Sequence, residues 1–377
     1  MNIGIDLTFY SNIRTGISNY TFKLLEYFNK VDTTNKYFLY TSNDLPSEIK
    51  FNENFIIKKL ETKHIHLYYL LFLKKQLMKD KINLFFGPSF YLPAKSKKYK
   101  MVTTFHDLSI IKTKNSSYHK FFKYHISKLF HKKACKDAYK IIAISESTKN
   151  DIKDCFNIAD NKIEVIYDGY SDYTRLTNIT SEETNSILKK FSINVPFILS
   201  VNTIEPRKNL INSVKAFELY KGETNSSIKY VIVGKLGWKY EPIVNSFKNS
   251  IYSKDILYLN YVTPKEKEVL YRNALYTSFV SLYEGFGLPI TESLSVGTPV
   301  LTSNISSMPE AGGDVCYYVN NPYNIEEIKE KMHAILDDIK SGKIDKERLY
   351  KQAEKFRADD FCKATHQLFQ NILNNKI

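Results

Sequence analysis

Short apolar runs that alternate with helical patterns constrain this chain more than any other feature. In the first half they fall at Ile3–Leu7, Tyr37–Tyr40, Phe55–Lys58, Leu84–Phe86, Met101–Phe105 and Ile141–Ile144, with a helix expected over Ile17–Phe28. Around Gly169–Asn185 the chain turns polar and is expected to be a linker. The alternation then restarts, with strands expected at Phe197–Val201, Tyr230–Val233, Ile256–Tyr258, Tyr276–Ser281 and Pro299–Thr302. From Ile325 to the end the pattern is helical throughout. Runs buried on both faces and joined by helices imply parallel sheets wrapped by helices, an α/β class. With 377 residues the chain exceeds one core at roughly 150 residues per domain, so two α/β halves are expected. Ligands of such sheets sit at the carboxyl ends of the strands, which predicts a cleft there.

Composition narrows the partners. Apolar residues are 43% and charged residues 25%, which excludes a mostly disordered chain. Met1–Phe9 lacks the charged start and long apolar run of a signal peptide. The apolar patch Leu67–Leu73 is far shorter than the ~20 residues a bilayer requires. Cys135, Cys155, Cys316 and Cys362 are scattered, with no C-x-x-C and no His at ligand spacing, so neither a metal site nor a disulfide framework is expected. A cytoplasmic location fits that usage.

The net charge of +14 calls for an acidic partner, and it is uneven. Residues 1–180 hold 29 Lys+Arg against 17 Asp+Glu, whereas 181–377 hold 25 against 23. The stretch 58–133 has 18 Lys and only Glu61, Asp80 and Asp107 as acids, interleaved with aromatics. Ser117–Ala138 reads as a helix with Phe122, Ile126, Leu129 and Phe130 at helical spacing among lysines. Two readings stay open: an apolar stripe packed into its own domain, or a basic surface resting peripherally on anionic lipid at the inner face of the cytoplasmic membrane. No nucleic-acid motif is present, so nucleic acid is not an expected partner.

The segment Ser281–Val300 carries the chemistry. A strand is expected to run into Glu284. Gly285 and Gly287 flank Phe286, so the backbone can approach a ligand closely. Pro289, after Leu288, suits the first helical position. The N–H groups of this loop and helix start favour a phosphate or developing negative charge. Glu292, one turn in, would repel a phosphate at the helix end and is expected to accept from hydroxyls instead. Glu284 can do the same closer to the reacting centre.

This stretch resembles the E-x7-E motif of the retaining glycosyltransferases of family 4, which have the GT-B fold of two Rossmann-like domains. Asn202-Thr-Ile-Glu-Pro-Arg-Lys-Asn209 is similar to a signature of the branch rich in bacterial mannosyltransferases. Gly234–Trp238, Asn260–Pro264 and Arg272–Ala274 also look like that branch, as do Phe105–Leu108 and Ala143–Ser147. Arg14–Tyr20, with Gly16, is similar to its donor-side glycine loop. The resemblance covers nearly the whole chain. It implies an acceptor-binding domain over 1–175, a nucleotide-sugar domain over 176–359, and a helix over 360–377 that crosses back onto the first domain, with Phe361 where the family usually has Trp.

A nucleotide sugar leaves as a nucleoside diphosphate, whose charge must be met. The sequence has no Asp-x-Asp to hold a metal, and Arg207 and Lys208 are the natural substitutes, a planar fork and a point charge. The wider family has Arg where Thr203 stands, and Arg207 is expected to take over its task. By resemblance His106 faces the transferred sugar, with Asp107 orienting it or touching the acceptor, and the backbone of Tyr261 and Val262 flanks the base. Thr263-Pro-Lys-Glu266 reads as a capping box.

The resemblance implies a metal-independent, retaining transfer of a hexose with front-face attack. GDP-mannose is the favoured donor and no separate cofactor is required. The acceptor it implies is a glycan, lipid-linked, in polysaccharide synthesis of O-antigen or capsule type. Transfer from a UDP- or dTDP-sugar is the alternative within the class. Outside it stand a glycoside hydrolase and a non-catalytic basic scaffold that binds polyanions or membranes.

Overall fold

The computed structural model describes residues 1–8, 16–45, 50–59, 72–112, 121–170 and 179–375, with only the backbone of 121–123. The chain divides into two compact units: the described residues of Met1–Lys112, His119–Asp168 and Ala358–Ile377, and those of Gly169–Arg357. The expected boundary at 175/176 falls in 171–178, outside the described residues.

Unit 1 holds β1 (Asn2–Asp6), β2 (Lys36–Thr41), β3 (Phe55–Lys59), β4 (Leu84–Gly87), β5 (Lys100–Phe105), β6 (Lys140–Ala143) and β7 (Ile163–Val165). They form one sheet in the order β3-β2-β1-β4-β5-β6-β7, every neighbouring pair parallel. Alternate residues feed opposite faces, as a strand period of two requires. Ile3, Ile5, Leu84 and Phe86 join one core cluster, and Phe85 joins the other. That double burial is why these strands read as unbroken apolar runs.

The final helix, Ala358–Leu373, belongs to unit 1. Phe361 stacks on Tyr20 at 5.0 Å, and Phe369 meets Phe28 at 5.7 Å and Phe86 at 5.1 Å. His366 reaches the buried Asp32 carboxylate at 3.0 Å. Burying each of Phe361, Leu368, Phe369 and Ile372 contributes about 1.5–3 kcal/mol, which is what docks the helix.

Unit 2 holds β8 (Phe197–Val201), β9 (Lys229–Val233), β10 (Ile256–Leu259), β11 (Tyr276–Phe279), β12 (Val300–Ser303) and β13 (Tyr317–Val319), ordered β10-β9-β8-β11-β12-β13 and all parallel. The strand order reverses at β8, which pairs with β9 on one side and β11 on the other. The crevice beyond the carboxyl ends of β8 and β11 is where such a sheet takes a ligand.

Two sequence expectations need correction. The polar stretch Gly169–Asn185, expected as a linker and with 171–178 outside the described residues, runs at its end into a helix, Ser181–Lys190, whose start is closed by a capping box between Thr180 and Glu183. Its polar composition hid it, because none of its side chains is fully buried. The second correction concerns the basic helix, Phe121–Asp137. Its buried side chains, among those described, are Ser127, His131, Ala134 and Cys135; of the expected apolar stripe Ile126 and Phe130 are half-buried, Leu129 is 65% exposed, and the side chain of Phe122 lies outside the described residues. The buried His131 stacks on Phe90 at 3.7 Å.

Candidate active site

The loop after β8 brings Arg207 and Lys208 to the switch point through a short turn, Pro206–Lys208. A backbone bond from the Leu282 N–H to the Arg207 carbonyl (2.8 Å) ties that turn to the loop after β11. Gly234, after β9, has φ +148°, and a Cβ there would lie 1.6 Å from the Asn202 carbonyl oxygen, so only glycine lets the β8 loop pass.

Glu284 meets both cations. Lys208 Nζ donates to Glu284 Oε1 at 2.5 Å, and Arg207 Nη1 donates to Oε2 at 2.7 Å. Arg207 Nη1 also donates to the Tyr283 carbonyl at 2.7 Å, while Nε and Nη2 grip Glu205 Oε1 at 3.1 and 2.8 Å. Lys208 Nζ lies 5.1 Å over the Phe279 ring. The side chains of Glu284, Lys208 and Arg207 are only 9%, 10% and 17% exposed.

Glu284 runs into Gly285, Phe286 and Gly287, which has φ +111°, and then into the helix Leu288–Ser295 with Pro289 in its first turn. No side chain caps that helix start. Glu292, on its second turn, accepts from Lys267 Nζ at 2.7 Å and Tyr271 Oη at 2.9 Å, both on the helix Pro264–Asn273. Thr263 and Glu266 form the capping box of that helix, with Val262 buried and Tyr261 79% exposed just before it. Ser306 and Ser307, from the turn after β12, hold the backbone of Glu284.

Unit 1 presents a different kind of site. His106 follows β5, and its Nε2 lies 2.8 Å from the Pro88 carbonyl, with the ring edge-on to Tyr20 at 4.8 Å. A carbonyl only accepts, so Nε2 carries the hydrogen and Nδ1 is an acceptor. Burial, opposed by Asp168 and the Pro88 bond, pulls the imidazole below its usual 6.5. Asp107 accepts from the Ser109 N–H (2.8 Å) and hydroxyl (2.6 Å), which gives it a capping role at the helix Ser109–Lys112. Gly16 opens the helix Gly16–Val31, while Arg14 and Thr15 lie outside the described residues.

A family model described as Glycosyltransferase Family 4 matches residues 15–172, and one described as Glycosyl transferases group 1 matches residues 183–356. O-antigen chain mannosyltransferase B of Escherichia coli is 31% identical over 298 residues, 78% of this chain and 76% of that protein. The chain belongs to glycosyltransferase family 4. The serotype-specific mannosyltransferase WbdA of Escherichia coli is 29% identical over 202 residues, 52% of this chain and 24% of WbdA. Sucrose-phosphate synthase of Thermosynechococcus elongatus shares the fold with a TM-score of 0.78 at 15% identity over 100% of both chains, and that fold is GT-B. As a family 4 glycosyltransferase the chain is an enzyme, which sets aside the non-catalytic scaffold.

In this glycosyltransferase the charges at the switch point explain one another. Burial alone would raise the Glu284 carboxyl, but Arg207 and Lys208 overcome it and hold the group at about 2. Burial and the neighbouring Arg207 lower Lys208, and Glu284 opposes them. Two cations thus face the two carboxylates of Glu205 and Glu284 out of water, where an unpaired charge would be costly. A hydrolase would need one protonated carboxyl and one free carboxylate flanking a bond. Glu284 stays ionised and Glu292 is engaged by Lys267 and Tyr271, so neither fills the acid role. Glu205, Lys267, Tyr271, Ser306 and Ser307 escaped the sequence reading. Of these, Glu205 was the most accessible, because a carboxylate two residues before an Arg can turn back onto it.

Proposed function

We propose that this enzyme transfers mannose from GDP-mannose, with retention, to a hydroxyl of a glycan acceptor during cell-surface polysaccharide assembly. The observation that carries this reading is the buried Arg207–Lys208–Glu284 cluster at the carboxyl ends of β8 and β11. A departing nucleoside diphosphate needs fixed positive charge in a water-poor place, and Arg207 and Lys208 supply it without a divalent cation. The uncapped N–H groups at Gly287–Leu288 add partial positive charge beside them. Glu284 contacts the sugar once the cations turn to the diphosphate, Glu292 takes nucleoside hydroxyls, and the main chain at Val262 borders the base. His106 offers Nδ1 to a sugar hydroxyl. Mannose and O-antigen-type polysaccharide are supported by the names of the Escherichia coli relatives.

The acceptor in this reading is lipid-linked, and the enzyme works peripherally at an anionic membrane. No described helix is long and apolar enough to cross one. The outward face of the helix Phe121–Asp137 carries Lys128, Leu129, Lys132 and Lys136, all exposed, which suits a negatively charged surface.

A thermal-shift panel of GDP, UDP, dTDP and ADP with their sugar conjugates tests the donor, run with and without EDTA. A ligand at about 100 times its Kd stabilises the fold by about 2.7 kcal/mol, a readable rise in Tm. GDP and GDP-mannose are expected to give the largest rise, unchanged by EDTA. A larger rise with UDP or dTDP would move the reading to the alternative donors. Turnover that vanishes with EDTA and returns only with manganese or magnesium would remove the charge role given to Arg207 and Lys208.

A further inference from the structure

Ser306 has φ +55°, a left-handed backbone that serine adopts at a cost. Its side chain explains what holds it there. The Ser306 hydroxyl accepts from the Glu284 N–H at 3.3 Å and donates to the Glu284 carbonyl at 2.5 Å, so one hydroxyl grips both peptide groups of one residue. The fully buried Ser307 adds a second hydroxyl, 3.0 Å from the Glu284 carbonyl and 2.9 Å from the Phe286 carbonyl.

Glu284 stands at the start of Gly285-Phe286-Gly287, and two glycines give that loop more freedom than any other residue type would. The carboxylate must nevertheless reach Lys208 Nζ and Arg207 Nη1 together, at 2.5 and 2.7 Å. A loop that gains close approach from its glycines needs an outside restraint to fix direction. We infer that Ser306, held in a left-handed conformation with Ser307 beside it, is a positioning residue that sets the orientation of Glu284 for transfer. The strain at Ser306 is then part of the mechanism, stored where the geometry of the reacting centre is set. This inference rests on the reading of Glu284 as a group that contacts the sugar.

The test is Ser306→Gly. Glycine adopts the same backbone without strain but has no hydroxyl, so it separates the fold from the clamp. Nucleoside diphosphate release from GDP-mannose, with UDP-glucose in parallel, is measured together with the Kd for GDP and the Tm. The kcat is expected to fall on the order of 10²-fold, since small displacements of a positioned group cost that much. The Kd for GDP should move by less than about threefold, because removing orientation acts on the transition state rather than on ground-state binding. Ser306→Asn tolerates the left-handed backbone and offers an amide, so it should recover part of the rate. Wild-type kcat in Ser306→Gly overturns the inference, and so does a loss of rate that simply follows the loss of Tm in both variants. Glu284→Gln serves as the control. Full activity there would sink the reading of Glu284 itself, whereas an inactive Glu284→Gln beside a fully active Ser306→Gly would sink only the clamp.

Discussion

The two sheets of this glycosyltransferase end in opposite kinds of chemistry. Beyond β8 and β11, Arg207 and Lys208 are buried against Glu205 and Glu284, a compact set of full charges. Beyond β4 and β5 stands His106, held neutral by burial against the opposing pull of the Pro88 bond, with its ring edge-on to Tyr20. The same topology therefore supports a charged site in one unit and a neutral hydrogen-bonding site in the other. The difference follows from what each can bind: fixed charge suits a diphosphate, and a neutral imidazole suits a hydroxyl. The overall charge is distributed the opposite way: residues 1–180 hold 29 Lys+Arg against 17 Asp+Glu, whereas 181–377 are nearly balanced.

The largest effect should come from breaking the charged site. Lys208→Met keeps the length of the side chain and removes the point charge. Turnover should drop about 10²- to 10³-fold, as for loss of one preorganised donor. The substitution also leaves Glu284 with Arg207 as its remaining cation among the bonds described, so the Tm is measured beside the rate. A kcat within a few-fold of wild type would mean that the charged site does not serve the departing diphosphate.

A smaller effect is expected at the neutral site. His106→Gln should lower kcat by about 10²-fold or less, the low end for a positioned polar group. The pH profile carries the sharper test. Burial lowers the imidazole from 6.5, so the neutral form that accepts through Nδ1 persists below that value and is lost only as pH falls through the lowered pKa. The wild-type acid limb should therefore lie below 6.5 and be absent from the Gln variant. An acid limb that survives in His106→Gln would assign it to another group.

How much of this was legible in the sequence depends on the scale of the feature. The strands were legible because parallel strands buried on both faces are unbroken apolar runs; Phe197–Val201 is read with its observed bounds. The three-residue β7 and β13 were not, since so short a run does not stand out. Glu284 and Glu292 were legible from residue type and spacing, and Arg207 and Lys208 through the resemblance of their motif. Their mutual contacts were not, because Arg207 and Glu284 are 77 positions apart and only the pairing of β8 with β11 brings them together. The clamp at Ser306 was hidden for a further reason: a serine at positive φ leaves no mark in sequence, where glycine or asparagine would. The basic helix shows the reverse error. Helical spacing of Phe122, Ile126, Leu129 and Phe130 suggested an inward stripe, yet Leu129 lies on the outside and Ile126 and Phe130 are only half-buried, with the side chain of Phe122 outside the described residues.

That exposed face yields the smallest catalytic effect and the cleanest contrast with the buried cations. Lys128 and Lys132 face outward beside the exposed Leu129. If they rest on lipid, each contributes about 1 kcal/mol near an anionic surface, or about fivefold in partitioning. Lys128→Ser with Lys132→Ser should then reduce sedimentation with phosphatidylserine-containing vesicles by roughly 30-fold and leave binding to neutral vesicles unchanged. Release of nucleoside diphosphate in the absence of lipid should stay at the wild-type rate, because neither lysine belongs to the charged site. The effect should also fade with salt, since exposed charges are screened within about 10 Å at 0.1 M ionic strength, whereas the buried Arg207–Lys208–Glu284 contacts are screened far less. Equal sedimentation of wild type and double variant on anionic vesicles would show that the outer lysines do not seat the enzyme on lipid, and the charge contrast between the units would then have no bearing on where it works.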